Sequence, residues 1–249
     1  MALDEARTVS DSAADHVADH NILHTQHNVF TDTWIDALMR RPSDETPHAY
    51  DDEFDDETVD ADWVELSIAG DMTVTEKRSR LSVLTDSTAG ASDFQGVLKP
   101  LDSLTSPLTI ETCFEVVSDD LSGSGMVGIG FSDGVVAGSN CAIGRTWRQG
   151  NIGIASGTLT STDSVNNDTL ATEPGRYARF YMRLIWSAAN TFKIQVSIDG
   201  VSWTAYGLSA TTKTMTPTHF GLLGTAYIGV RDTTASFDYF RVTESDLSV

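Results

Sequence analysis

The sequence predicts an all-β fold of antiparallel strands in two packed sheets, preceded by an N-terminal helical arm, and three observations carry that prediction. Residues 177–198 alternate with a period of two: Ala178, Phe180, Met182, Leu184 and Trp186 share one face, and Tyr177, Arg179, Tyr181 and Arg183 the other. Phe192, Ile194, Val196 and Ile198 then share an apolar face, opposite Lys193, Gln195 and Ser197. Side chains alternate across a strand, so the two runs form a hairpin with one apolar and one polar face. Second, about thirteen short strand-like runs follow Trp63, separated by Gly, Asp, Ser and Asn clusters such as 118–125 and 160–168, the spacing of a sandwich. Third, no fixed-period repeat and no linker interrupts that region, so 63–249 is expected to be one domain.

In chain order, residues 8–40 read as helix. Val9, Ala13, His16, His20, Leu23, His27, Phe30, Trp34 and Ala37 recur at steps of four and three, the seam of a coiled coil, with Ser10 or Asp11 as cap. Three seam positions are His. The segment 1–50 therefore reads either as a surface helix or as an anchoring and oligomerisation arm, with a homotrimer as the coil's expected state; His16, His20 and His24 could also hold a metal. Pro42 ends the helix. Asp44–Asp62 carries ten acids and no Lys or Arg, and 51–62 reads as a solvated, self-repelling linker.

The strand-like runs are 63–69, 72–76, 80–85, 94–98, 108–117, 125–132, 139–144, 151–156, 177–187, 191–198, 202–206, 218–224 and 235–243. Ser187–Asn190 supplies the turn of the 177–198 hairpin, and Asp199-Gly200 the next turn, where positive φ is needed.

Composition narrows the function. Thirty-six acids against sixteen bases give a net charge of −20, which excludes duplex DNA as a partner, because such binding exchanges counterions for basic side chains. Asp outnumbers Glu and Arg outnumbers Lys, a surface that stays hydrated at high salt and suggests a halophilic or marine source. No 18-residue apolar run is present, so no membrane span is expected. The opening MALDEARTVS has neither a basic nor an apolar signal region, so no secretory signal is expected. Cys113 and Cys141 have no zinc-ligand spacing and read as reduced strand cysteines, with a disulfide as the alternative.

Several local patterns share one resemblance. Asp52-Glu53-Phe54-Asp55, followed by Val59-Asp60 and Trp63, resembles the opening of concanavalin A-like lectin/glucanase jelly rolls, family 16 glucanases among them. Phe237-Asp238-Tyr239-Phe240-Arg241-Val242 resembles their closing D-Y-x-R-V strand, and Ser197-Ile198-Asp199-Gly200-Val201-Ser202-Trp203 is similar to the S-x-D-G-x-x-W hairpin of related carbohydrate-binding sandwiches. The resemblance covers about 52–243 and implies two curved antiparallel sheets whose concave polar face is open to glycan. Separately, Ala14-Asp15-His16 through His24 is similar to A-D-H-x-x-L-H segments of tailed-phage fibre and minor tail proteins.

A retaining glucanase of this kind carries E-x-D-x-E or E-x-D-x-x-E on one strand. The only comparable strand, Glu111-Thr112-Cys113-Phe114-Glu115, has Cys113 at the central position and corresponds better to an earlier, non-catalytic strand of the family. The strand expected to carry catalysis, 140–146, has no carboxylate, and no Gly-x-Ser-x-Gly, HExxH or phosphate loop is present, so no enzyme activity is expected. Glycan binding needs aromatic rings under sugar CH faces and planar polar groups on the hydroxyls. Arg179, Tyr181, Arg183, Lys193 and Gln195 offer these opposite the core, and Arg145, Trp147 and Arg148 add to them from a neighbouring loop. The sheet-face cations Arg179, Arg183 and Lys193 also suit an acidic or sulfated sugar. The same residues also read as an ordinary exposed sheet face, or as one covered by a neighbouring subunit. The resemblance further implies a structural Ca²⁺ at Asp238, which could equally be a plain hydrogen-bond acceptor. Asn167 opens a glycosylation triplet.

The combined expectation is a virion structural protein of a tailed virus, assembled in the host cytoplasm. Residues 1–50 would dock it to other virion proteins, and the jelly roll would contact host-surface glycan as a tail-fibre or adhesion component. The alternatives are a purely structural head spike or decoration protein, and a polysaccharide hydrolase with a degenerate site.

Overall fold

A computed structural model describes residues 47–67, 72–85, 94–117, 126–147, 152–159, 179–188, 191–212, 215–225 and 233–248. Of the arm expected at 1–50, only 47–50 falls among them; His16, His20 and His24, like Arg148 and Asn167, lie outside the described residues.

Thirteen strands form: β1 (Val64–Ser67), β2 (Met72–Glu76), β3 (Leu81–Thr85), β4 (Phe94–Pro100), β5 (Leu108–Val117), β6 (Met126–Ser132), β7 (Asn140–Trp147), β8 (Ile152–Thr158), β9 (Phe180–Ala188), β10 (Thr191–Ser197), β11 (Thr204–Thr212), β12 (His219–Thr225) and β13 (Thr233–Thr243). They build a six-stranded sheet, β1-β4-β12-β6-β7-β8, and a seven-stranded sheet, β11-β10-β9-β5-β13-β3-β2. Neighbours pair antiparallel throughout, so the all-β antiparallel sandwich expected from the alternating runs is the observed architecture.

The core lies between the sheets. Ile110, Phe114, Met182, Leu184, Phe192, Ile194, Phe237 and Phe240 of the seven-stranded sheet join Val97, Val127, Ile129, Phe131, Ala142, Phe220 and Leu222 of the six-stranded one in a single apolar cluster. The six-stranded sheet is buried on its other face too, where Leu66, Phe94, Leu98, Cys141, Ile143 and Leu223 form a second cluster. Hence β4 reads as a run of buried residues rather than an alternation. β4 and β12 also approach closely: a Cβ at Gly221 would sit 2.1 Å from the Val97 carbonyl oxygen, and one at Gly96 2.0 Å from that of Leu222.

The acidic run at 51–62 differs from the expected linker. Asp52 bridges to Phe240 through paired backbone hydrogen bonds of 2.8 and 2.7 Å. Phe54 is 1% exposed, and Trp63 packs edge-on against Phe240 at 5.2 Å. Its charges have counterions: Lys99, itself 1% exposed, lies 3.2 Å from Asp62, 3.6 Å from Asp60 and 3.8 Å from Asp52, while Arg241 grips Glu53 through two hydrogen bonds. Self-repulsion loses because these cations and the burial of Phe54 and Trp63 outweigh it. The compact unit that contains the sandwich spans His48–Val249.

Candidate functional site

The polar face of the seven-stranded sheet is ordered by strand register. One row across four strands reads Gln195, Arg183, Glu111 and Arg241; the next reads Ser197, Tyr181, Cys113 and Tyr239. Directly opposed residues share a face, so pairing alone brings Arg183 beside Glu111. The Arg183 Nε donates to Glu111 Oε2 at 2.6 Å, and the Tyr239 hydroxyl donates to Glu111 Oε1 at 2.7 Å. The Arg183 guanidinium lies over the Trp203 ring, 3.7 Å from its centroid, while Arg241 covers Tyr239 at 4.0 Å.

Trp203 is held there by the turn after β10. Asp199 Oδ1 accepts from the backbone N–H groups of Val201 (2.9 Å) and Ser202 (2.7 Å) and from the Ser197 hydroxyl (2.8 Å). These donors hold the Asp199 carboxyl far below the usual carboxylate range, with the Ser202 N–H foremost. Gly200 adopts φ +73°, and a Cβ there would come 3.0 Å from the Tyr181 ring, so the turn curls onto the polar face. Ile198, expected on the apolar face, is instead 73% exposed in this turn, because the strand ends at Ser197 and its phase ends with it.

Beyond this row the charges are paired. Asp238, the extra residue of a bulge in β13, meets the Arg80 Nε at 3.0 Å and the Arg179 guanidinium on its other oxygen. Arg80 also reaches Glu115 at 2.5 Å, and the Arg179 Nε donates to Cys113 Sγ at 3.1 Å. Burial pushes the Cys113 thiol up to about 12, with the charge of Asp238 adding to it, so the thiol stays protonated and unreactive. Neither Cys113 nor Cys141 forms a disulfide.

The sequence candidates thus separate. Arg179, Tyr181 and Arg183 do lie together at β9, half-buried. Lys193 stands at the far end of the face, tied to Asp246 at 2.9 Å and Ser248 at 3.0 Å by the C-terminal tail. Gln195 is fully buried and so offers nothing to solvent. Arg145 and Trp147 belong to β7, in the other sheet, as does the whole stretch expected to occupy the catalytic strand. Trp203, Glu111 and Tyr239 complete the face and are absent from the glycan-binding candidates that the sequence offered. The S-x-D-G-x-x-W pattern contained Trp203, but only the turn's geometry sets its ring on Arg183.

The expected calcium does not fit. Asp238 sits between two guanidiniums, where a cation would meet like charge, and the described residues hold no group of three or more His, Cys, Asp or Glu arranged as ligands. Glu111 and Glu115 share the polar face at the i, i+4 spacing of the expected motif, but Cys113 stands between them, and each is paired with a guanidinium, Glu111 with that of Arg183 and Glu115 with that of Arg80.

The two antiparallel sheets form a jelly-roll sandwich, and solved structures with lectin and glycoside hydrolase folds share that architecture. One, reported for endo-acting O-glycanases with which human gut microbiota initiate mucin breakdown, matches with a TM-score of 0.55 and 10% identity, over 80% of this chain and 99% of that one. The metal-free lectin I-B4 of Griffonia simplicifolia matches at 0.51 with 11% identity, over 78% and 99% of the two chains. A GH43 protein of Bacillus licheniformis matches at 0.54 with 14% identity over 82% of this chain, which spans 40% of that protein's length. No protein-family model and no curated protein matches the sequence.

Proposed function

We propose that this protein binds glycan on the polar face of the seven-stranded sheet, with Trp203, Arg183 and Tyr181 as the floor of the site. The observation that carries the proposal is the Arg183–Trp203 stack, 3.7 Å apart and anchored by Glu111. An indole backed by a guanidinium is a rigid platform for a sugar CH face, and the neighbouring Arg–carboxylate pairs are planar groups suited to hydroxyls. The fold's occurrence in a lectin and in glycoside hydrolases supports the same reading. The test is a glycan array with the full chain, followed by calorimetry. Trp203→Ala is expected to weaken binding at least tenfold, about 1.4 kcal/mol or more, while the chain still melts cooperatively. Undiminished binding in that variant would remove this site.

The reading is of adhesion without catalysis. Glu111 and Glu115 are each engaged by a guanidinium. Glycan cleavage that disappears in Glu115→Gln would favour the hydrolase alternative instead. The virion setting is the further part of the proposal: the similarity of 14–24 to phage fibre segments supports a tail-fibre or adhesion component, with 1–50 as docking and oligomerisation arm. Weak sites repeated on one particle would then act through avidity. Light scattering on the full chain and on a version beginning at His48 tests the arm; a monomer in both would remove the oligomer.

A further inference from the structure

Two features of the same face bear on which sugar it takes, and both lie outside the stack itself. The first is charge. Arg80, Arg179, Arg183 and Arg241 each meet a carboxylate, from Glu115, Asp238, Glu111 and Glu53. The cations that suggested an acidic or sulfated ligand, Arg179, Arg183 and Lys193, are therefore each paired with a carboxylate of the same chain, and the chain as a whole carries −20. An anionic sugar would have to compete with built-in carboxylates against a repulsive field.

The second is the turn at 198–203. Val201 is 81% and Ile198 73% exposed, the most exposed of the large apolar residues described. Exposed aliphatic side chains on an unanchored loop would mean little, but this turn is fixed by the Asp199 hydrogen bonds, and the Ser197 hydroxyl accepts from the Gly200 N–H at 2.9 Å. Val201 sits between Gly200, set against the Tyr181 ring, and Trp203, set over Arg183. Val201 and Ile198 thus belong to the same fixed turn as Trp203, and their ordering cost is already met by the fold.

We infer that the site selects a neutral sugar bearing a methyl group, either the C6 methyl of a 6-deoxyhexose or the methyl of an acetamido group, which Val201 and Ile198 cover while the ring rests on Trp203. The inference depends on the glycan reading above and narrows it. A methyl group against an apolar wall discriminates modestly, by about tenfold.

The test uses the full chain and matched neoglycoconjugates in surface plasmon resonance: L-fucose against L-galactose, and N-acetylglucosamine against glucose, with a sulfated galactose as the anionic arm. The methyl-bearing member of at least one pair is expected to bind about tenfold more tightly, and which pair responds identifies the source of the methyl. Ile198→Ser with Val201→Ser is expected to erase that preference while leaving the hydroxyl-bearing members unchanged. Since both side chains are exposed, folding is checked by the melting curve, and Val201→Thr, which keeps the shape, should show an intermediate preference. Equal binding within both pairs, a preference that survives the double variant, or strongest binding to the sulfated sugar would overturn the inference while leaving glycan binding intact. No binding to any of the five would overturn both.

Discussion

Arg183 shows how a single residue's role depends on its neighbours: Glu111 fixes its Nε, and Trp203 covers its plane. The alternation of β9 placed Arg183 on the polar face correctly, but neither partner could be read from sequence, since Glu111 lies 72 positions away and becomes adjacent only through register. Lys99 is a second case. Its ammonium is enclosed by Asp52, Asp60 and Asp62 and lies 4.6 Å from the centroid of Trp63. Lys99→Met removes the cation and leaves the carboxylates facing one another, so it should cost about 3 kcal/mol in urea denaturation. Glu76 gives a pH prediction. Burial, then its hydrogen bond with Asp56 and the charges of Asp52 and Asp56, raise its carboxyl from 4.5 to about 7. The folded state therefore holds a proton the unfolded state has released, and stability should fall as pH rises from about 4.5 to about 7. Glu76→Gln should flatten that part of the profile and raise the melting temperature at pH 8; an unaltered profile would refute the assignment.

At the scale of elements, the strands were the most legible part. The run expected at 72–76 is β2 and that at 108–117 is β5, and most others differ by a few residues at their ends. Period-two alternation is a local signal, and it survives wherever one face meets the core. It failed at Ile198, where the turn breaks the phase. The segment 48–62 failed for another reason: ten acids in 44–62 mask the buried Phe54, and its counterions Lys99 and Arg241 come from distant strands. Its place in the fold predicts the outcome of truncation. A chain beginning at His48 should melt cooperatively, whereas one beginning at Trp63, lacking Phe54 and the Asp52–Phe240 bridge, should lose several degrees or fail to fold. Equal melting temperatures would contradict the docked segment.

Across the whole of the unit 48–249, its beginning meets its end. Asp51 accepts from the Val242 N–H at 2.8 Å, and His48 lies 3.2 Å from Glu244. In the register of the polar face, Thr243 shares a row with Thr109, Ile185 and Lys193, whereas the turn at 198–203 follows the row of Ser197 and Tyr181. The turn thus lies at the end of these strands opposite the one where His48 meets Glu244. The measurement that tests the glycan site most directly is a nitrogen–proton NMR titration of the full chain with a sugar retained on the array. The Trp203 indole N–H and the Arg183 Nε–H should shift saturably, while the buried Trp63 and Trp186 indoles stay in place. Shifts confined to β1 or β8, or a Trp203 signal that does not move as binding saturates, would contradict it.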